Sequence, residues 1–390
     1  MTPCDILIKG GEVIDPSQNL SGIRDIAVKG GKILEVAESL TDYEPRETLD
    51  ARGLLVTPGL IDLHVHVYTA HTPMGLDADE LCPAGGVTTM LDTGSAGSYN
   101  FAGFVRDDIN RCRTEILGLV NLSCIGLVAY QLGELMDPRY ADPEGVVRVI
   151  KEHPNVAVGV KIRAGAHIIG SGEQGRSHFM QAVKAARDSN TWLMVHIGEC
   201  PMTIPDMLEH MEPGDCITHC FKGGSTRVLD ENDRVFDAVR KAAERGVIFD
   251  VGHGQGSFQW EVAEAAQEQG FEPTTISTDL HWMNLHGPVY DMPACMSKYL
   301  MLGVPLERVI EMSTTRPAKA LNRKGDIGTL KVGTVADIAV LEKQEGRFTF
   351  TDSYKQTRIG NELLVAASTV RRGEIVPGGG GTRMRHQADD

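Results

Sequence analysis

Two histidines one residue apart, His64 and His66, are the first side chains in this sequence whose type and spacing suggest chemistry. They close the run Pro58-Gly59-Leu60-Ile61-Asp62-Leu63-His64-Val65-His66, which an apolar stretch at 54–56 leads into. Side chains of a strand alternate between its faces, so both imidazoles point one way and Val65 the other. Two imidazoles at a strand end suit a divalent metal such as zinc. Two histidines without any ligand give the same pattern, so other residues must join them before the reading holds.

Four more candidates stand at the ends of apolar runs. Lys161 follows Val156-Ala157-Val158-Gly159-Val160, His196 closes Leu193-Met194-Val195-His196, His219 closes Cys216-Ile217-Thr218-His219, and Asp279 closes Ile276-Ser277-Thr278-Asp279. Lys161 is the unusual member, because an apolar strand delivers it inward, where a bare ammonium is costly and repels a metal. Either a carboxylate such as Asp279 pairs with it, or carbon dioxide converts it to a carbamate whose two oxygens can bridge two metals. Around these lie candidate substrate contacts. Arg163, two residues beyond Lys161 and on the same strand face, either clamps a substrate carboxylate or forms a rim salt bridge. His253, in a Gly-rich loop, either meets substrate or packs the loop. Tyr68 shares the face of His66 and either hydrogen-bonds at a pocket wall or packs among aromatics. His281 and His286, just past Asp279, line the pocket or lie at the surface.

The elements that must position these residues follow a regular rhythm. Aliphatic runs at 60–67, 87–91, 116–125, 156–162, 193–196, 216–219, 247–251 and 275–278 alternate with helical patterns at 104–112, 143–151, 178–187, 233–245 and 260–269. Eight strands with intervening helices over about 260 residues have the size of an α/β protein built as a (β/α)8 TIM-like barrel. Chemistry in such a barrel sits at the C-terminal ends of the strands, which is where the six candidates fall. Residues 1–57 read as short strands, with Gly10-Gly11 and Gly30-Gly31 as hairpin turns, and β character returns at 325–333 and 336–341. The expected organisation is a small β-sandwich domain formed by both chain ends, 1–57 and 323–377, flanking a barrel at 58–322. A Gly-rich tail at 378–390 is expected to be mobile.

The totals exclude several classes. The chain has 390 residues, 42% hydrophobic and 23% charged, ordinary for a globular protein. A formal net charge of -15 argues against a nucleic-acid surface or an anionic membrane. No apolar run approaches a membrane span, and the first residues lack the basic and apolar regions of a signal peptide, so a cytoplasmic location is expected. The 8 cysteines are scattered, so reduced thiols are expected. Cys216 and Cys220 flank His219 but lack a second pair to complete a zinc knot, and strand packing is the expected role.

Taken together, the His-x-His at strand one, the strand-four lysine, the histidines at strands five and six and the strand-eight aspartate resemble the amidohydrolase superfamily, over nearly the whole chain. The lysine points to its binuclear branch of dihydroorotases, hydantoinases and deacetylases. Gly86-Val87-Thr88-Thr89-Met90-Leu91-Asp92-Thr93-Gly94-Ser95-Ala96-Gly97, Thr218-His219-Cys220-Phe221-Lys222-Gly223 and Asp250-Val251-Gly252-His253-Gly254 look most like the amidohydrolase/deacetylase group that includes acetyl-(R)-mandelate deacetylase. The resemblance implies two divalent ions, expected to be Zn2+. His64, His66 and Asp279 would hold the more buried ion and His196 and His219 the other, with carboxylated Lys161 and a hydroxide between them. Asp279 would then move the proton. Dihydroorotases carry an arginine two positions after their His-x-His, where this chain has Tyr68.

The expected activity is a metal-dependent deacetylase that cleaves N-acyl amino acids or O-acyl α-hydroxy acids. Its expected partners are that small acylated acid and further copies of the chain as a homo-oligomer. A hydantoinase-type cyclic-amide hydrolase is the first rival. A non-catalytic assembly protein of the same fold is the second; such proteins typically lose ligands, and this chain has all six.

Overall fold

A computed structural model describes residues 1–81 and 83–378. Most of the tail expected to be mobile, from 379 on, lies outside the described residues. The chain opens with β1 (Thr2–Asp15), β2 (Leu20–Lys29), β3 (Lys32–Ala37), β4 (Tyr43–Asp50) and β5 (Leu55–Pro58). It ends with β13 (Ile338–Thr351), β14 (Thr357–Arg371) and β15 (Glu374–Pro377). These make one sheet in the order β15-β14-β13-β5-β1-β2-β3, with β4 also paired to β1. Both chain ends therefore share a sheet, joined where β5 meets β13 antiparallel.

Gly10-Gly11 is not the hairpin turn that the sequence suggests. β1 runs straight through it, and the register with β2 shifts between Ile8 and Gly11. Gly10, at φ +68, donates its N–H to Asp25 Oδ1 at 2.8 Å, so the glycine pair forms a bulge inside a long strand. Gly30-Gly31 does connect β2 to β3, antiparallel neighbours.

Between the two halves of that sheet lies the barrel. Its strands are β6 (Leu60–Val65), β7 (Val87–Gly97), β8 (Glu115–Asn121), β9 (Ala157–Arg163), β10 (Trp192–His196), β11 (Cys216–Thr218) and β12 (Ile248–Asp250), all parallel and paired in chain order. The eighth position is held by the segment around Thr275 to Leu280. It touches both edges through isolated parallel bridges, Asp250 to Thr275 and Val65 to Leu280, which nearly close the ring. The strands read as continuous apolar runs because they are buried on both faces. Ile61, Leu63, Leu91, Leu117, Leu119, Met194, Cys216 and Ile248 fill one cluster inside the ring. Alternating neighbours such as Leu60, Ile116, Val160, Leu193, Ile217 and Phe249 pack outward against the helices.

Those helices include Pro143–Glu152, Gly172–Asp188, Asp237–Arg245, Trp260–Glu268 and Met292–Met301. Their starts are fixed locally. Asp142 caps the first by accepting from Gly145 N at 3.0 Å, and Asp291 caps the last by accepting from Ala294 N at 2.9 Å, each cap contributing about 1 kcal/mol. The helical pattern at 104–112 appears instead as Phe101–Phe104 followed by a π turn, Val105–Ile109. The run at 116–125 ends as a strand at Asn121 and continues as loop. No helix among the described residues is long and apolar enough to cross a membrane. Cys216 and Cys220 are buried free thiols in the core clusters.

Candidate metal centre

β6 brings His64 and His66 to the mouth of the barrel by a detour. Ile61 and Leu63 face the interior cluster, so plain alternation would send both histidines outward and Val65 inward. The pairing of β6 with β7 shifts between Asp62 and Val65, and Val65 joins the outer core instead. This irregularity turns both imidazoles into the barrel. Asp62 braces it, accepting from His64 N at 3.2 Å and from Thr278 N at 3.0 Å, which ties β6 to the closing segment. Burial pushes the Asp62 carboxyl up to about 7.

Asp279 arrives from that segment. Its Oδ1 lies 3.2 Å from His66 Nε2 and 3.5 Å from His64 Nε2. These three buried residues offer ligand atoms that all lie within 4.8 Å of one another. Lys161, from β9, places Nζ 3.5 Å from His64 Nε2 and 3.3 Å from Met194 Sδ. Among the described residues it has no carboxylate within 4.0 Å, so the ion-pair alternative for this lysine is not what forms. Gly94 gives it room: a Cβ there would lie 2.8 Å from Lys161 Cβ. His219 completes the group, with its ring centroid 4.9 Å from that of His64 and 4.3 Å from that of His196. The six strand-end candidates thus meet in one cluster.

Two of them sit in the left-handed backbone region, His219 at φ +67 and Asp279 at φ +52. Such conformations persist where neighbours over-determine them. Here Asp279 N donates to His64 O at 2.7 Å, Asn284 Nδ2 donates to Asp279 O at 2.7 Å, and Lys222 N donates to His219 O at 2.9 Å.

The proton arrangement makes the cluster a set of acceptors. His64 Nδ1 is 2.8 Å from Thr218 Oγ1, His66 Nδ1 is 2.9 Å from Ser95 Oγ, and His219 Nδ1 is 2.6 Å from Gly252 O. The Gly252 carbonyl and the Thr218 hydroxyl, which is committed to Asp250, take the Nδ1 protons of His219 and His64, which leaves their Nε2 atoms with lone pairs. Burial holds His64, His196 and His219 well below the usual imidazole range and lowers His66 to about 3, so all four are neutral near pH 7. Asp279 Oδ1 is buried with no hydrogen-bond partner although two imidazole nitrogens face it. Lone pairs converging on an orphaned carboxylate oxygen fit a divalent cation with nitrogen and oxygen ligands. Burial raises the Asp279 carboxyl to about 6 and lowers the Lys161 ammonium to about 8.

The substrate-contact candidates divide. Arg163 pairs beside His196 across β9 and β10, and its Nη1 donates to Glu134 Oε2 at 3.0 Å. Its side chain is 16% exposed while that of Glu134 is fully buried, so the ion pair closes one end of the guanidinium. Tyr68 is 2% exposed, stacks on His71 at 4.5 Å and donates its hydroxyl to Asn100 O at 3.1 Å, an aromatic-packing placement. His253 stacks on Phe258 at 4.7 Å, with Nε2 2.6 Å from Lys298 Nζ and Nδ1 3.1 Å from Gly254 O. Both its nitrogens are engaged away from the cluster, in the loop-packing arrangement. His281 is 2% exposed, 6.3 Å from His66 between ring centroids, with Nδ1 unpartnered. Glu134, Thr218 and Asp250 escaped the sequence reading as site residues; Thr218 and Asp250 stood inside quoted motifs, while nothing local marks Glu134.

A model of the amidohydrolase family matches residues 55–376. Deacetylase Atu3266 of Agrobacterium fabrum is 37% identical, over 79% of this chain and 75% of its own length. A deacetylase of Brucella anthropi is 36% identical, over 85% and 83%. The crystal structure of an adenine deaminase superposes with a TM-score of 0.89 at 34% identity, covering 96% of this chain and 100% of the other. That of a dihydroorotase gives 0.89 at 33%, covering 96% and 97%. With the barrel and the shared terminal sheet in agreement with that match, the chain belongs to the amidohydrolase family.

Proposed function

We propose that this hydrolase is a metal-dependent deacetylase that removes the acyl group from N-acyl amino acids or O-acyl α-hydroxy acids. The observation that carries the metal reading is Asp279 Oδ1, buried, without a hydrogen-bond partner and 3.2 Å and 3.5 Å from two imidazole nitrogens. Relatives at 36–37% identity that bear the name deacetylase support the choice of reaction.

His64, His66 and Asp279 would hold one divalent ion and His196 and His219 a second, with zinc suited to the donor set. Lys161 would serve between them as its carbamate. Its burial favours the neutral amine, the form that adds carbon dioxide. When bound, the ions lower the pKa of water towards ~7 and polarise the acyl carbonyl.

The chain's own residues do the rest. Asp279, its carboxyl raised to about 6, accepts the proton of the attacking water and returns it to the leaving amine or alkoxide. Arg163 keeps N–H groups beyond the one given to Glu134 and binds the substrate carboxylate through them. A small acylated acid is the partner that this arrangement suits.

A cyclic-amide hydrolase is the second reading, favoured by the dihydroorotase structure. Tyr68 counts against it, since its hydroxyl is engaged with Asn100 O where dihydroorotases carry a carboxylate-gripping arginine. The test is turnover by zinc-loaded protein of N-acetyl amino acids and acetylated α-hydroxy acids, both enantiomers of each, beside a hydantoin. Acyl substrates turning over well above the hydantoin support deacetylation; the reverse order selects the second reading.

A further inference from the structure

Beneath the cluster lies a buried polar network that no step above uses. Asp250, at the end of β12, accepts three hydroxyl hydrogen bonds. Thr275 Oγ1 donates to Oδ1 at 2.7 Å, Ser277 Oγ to Oδ2 at 2.7 Å and Thr218 Oγ1 to Oδ2 at 2.8 Å. A hydroxyl has one proton to give. Having given it to Asp250, Thr218 can only accept from His64 Nδ1, 2.8 Å away. For the same reason Ser277 can only accept, and it takes the N–H of Gly252 at 2.9 Å. The carbonyl of that same Gly252 receives His219 Nδ1 at 2.6 Å.

One carboxylate therefore reaches two histidines from different strands. The junction has no slack: a Cβ on Gly252 would lie 2.3 Å from Thr218 Oγ1, 2.8 Å from His219 Nδ1 and 3.1 Å from His64 Nδ1. His66 Nδ1 meets the Ser95 hydroxyl, and Ser95 is itself held by its backbone N–H donating to buried Asp92 Oδ1 at 2.8 Å.

We infer that Asp250 is a positioning residue that sets the proton on His64 Nδ1 through Thr218, orients His219 through Ser277 and Gly252, and so keeps both Nε2 atoms free to bind a cation. This rests on the reading that the cluster holds divalent ions. With alanine at 250, the Thr218 hydroxyl loses its acceptor and turns its proton to His64 Nδ1, and the proton of His64 moves to Nε2, facing the cluster. Thr218→Val leaves Nδ1 with no acceptor, to similar effect, while Thr218→Ser preserves the relay. The Thr218 loss breaks a path that the Asp250 loss has already broken, so the two should not add.

The test uses the metal-stripped 390-residue chain, with zinc affinity read by calorimetry and the His64 tautomer by imidazole 15N NMR. Asp250→Ala and Thr218→Val should each weaken zinc binding about 10- to 100-fold and shift His64 towards Nε2–H. Thr218→Ser should stay within a few-fold of wild type, and the double variant should bind no worse than the weaker single. Unchanged affinity in Asp250→Ala overturns the proposal, and so does a double-variant loss equal to the product of the singles, which simple structural damage would give. If Asp250→Ala does not fold, the Thr218 pair decides: equal zinc affinity in the valine and serine variants overturns the relay. Wild-type protein that binds no zinc contradicts the metal reading itself, whereas zinc-binding wild type with an indifferent Asp250→Ala contradicts only the role of Asp250.

Discussion

His219 Nε2 lies 2.7 Å from His196 Nδ1, although His219 already gives its other ring nitrogen to Gly252 O. Two neutral imidazoles from neighbouring strands thus turn lone-pair positions toward one point, where either one proton or one cation must sit. If that point is a metal position separate from the one at His64, His66 and Asp279, removing one ring should remove one ion. Metal analysis of His219→Ala should give about one equivalent fewer per chain than wild type. Loss of all metal, or of none, would show that the two positions are not independent sites.

Asp279 combines a proposed ligand position with a carboxyl that burial raises to about 6. Asp279→Asn keeps the shape and one ligand oxygen but cannot accept a proton. Turnover should fall by at least about 10²-fold, the lower range for a general acid–base group, while most of the metal stays bound. Rate and metal content measured on one preparation separate the two roles. Near-normal turnover would reject proton transfer by this residue.

Arg163 is fixed at one end by Glu134, and an Arg–carboxylate contact is worth more when its geometry is held in advance. Arg163→Met should therefore raise KM for acylated acids at least tenfold and leave KM for neutral acyl esters within a few-fold. Steady-state kinetics on a matched acid and methyl ester provide the comparison. An equal rise for both would assign Arg163 to the rim salt bridge alone.

Lys298 offers a pH test away from the cluster. Its buried Nζ meets His253 Nε2 at 2.6 Å, Thr351 O at 2.7 Å and Pro288 O at 3.0 Å, and burial lowers its ammonium to about 8. In the unfolded chain a lysine titrates near ~10.4. Between these values the unfolded state binds more protons than the folded one, so this group adds stability as pH rises through the window. Below about 8 both states are protonated and the gain is absent. Wild type should gain on Lys298→Met by up to roughly 3 kcal/mol between about pH 8 and 10.5, read from urea unfolding of the two proteins. A difference that does not change with pH would mean that the lysine titrates normally.

How far the sequence could be read follows from what was local. The barrel strands were legible because a parallel strand buried on both faces is a short aliphatic run, as in Leu193-Met194-Val195. The shared direction of His64 and His66 was legible from strand periodicity. The irregularity between Asp62 and Val65 that turns both inward was not, because it depends on pairing with β7. A glycine pair reads alike in a turn and in a bulge, and only Asp25, fifteen residues beyond Gly10, decides which forms. Tyr68 and His253 carry groups suited to a pocket, but Asn100 O and Lys298 Nζ engage them, and neither partner lies near in sequence. The hydroxyl relay to Asp250 joins four segments, so no window of sequence contains it.

The most direct check is the hydrolysis rate of an acylated amino or hydroxy acid by protein stripped of divalent ions, before and after zinc is returned. Activity should vanish on stripping and recover when about two equivalents per chain are restored in the presence of bicarbonate. A stripped preparation that still turns over at the full rate would contradict the metal centre and, with it, the assignment of the six clustered side chains.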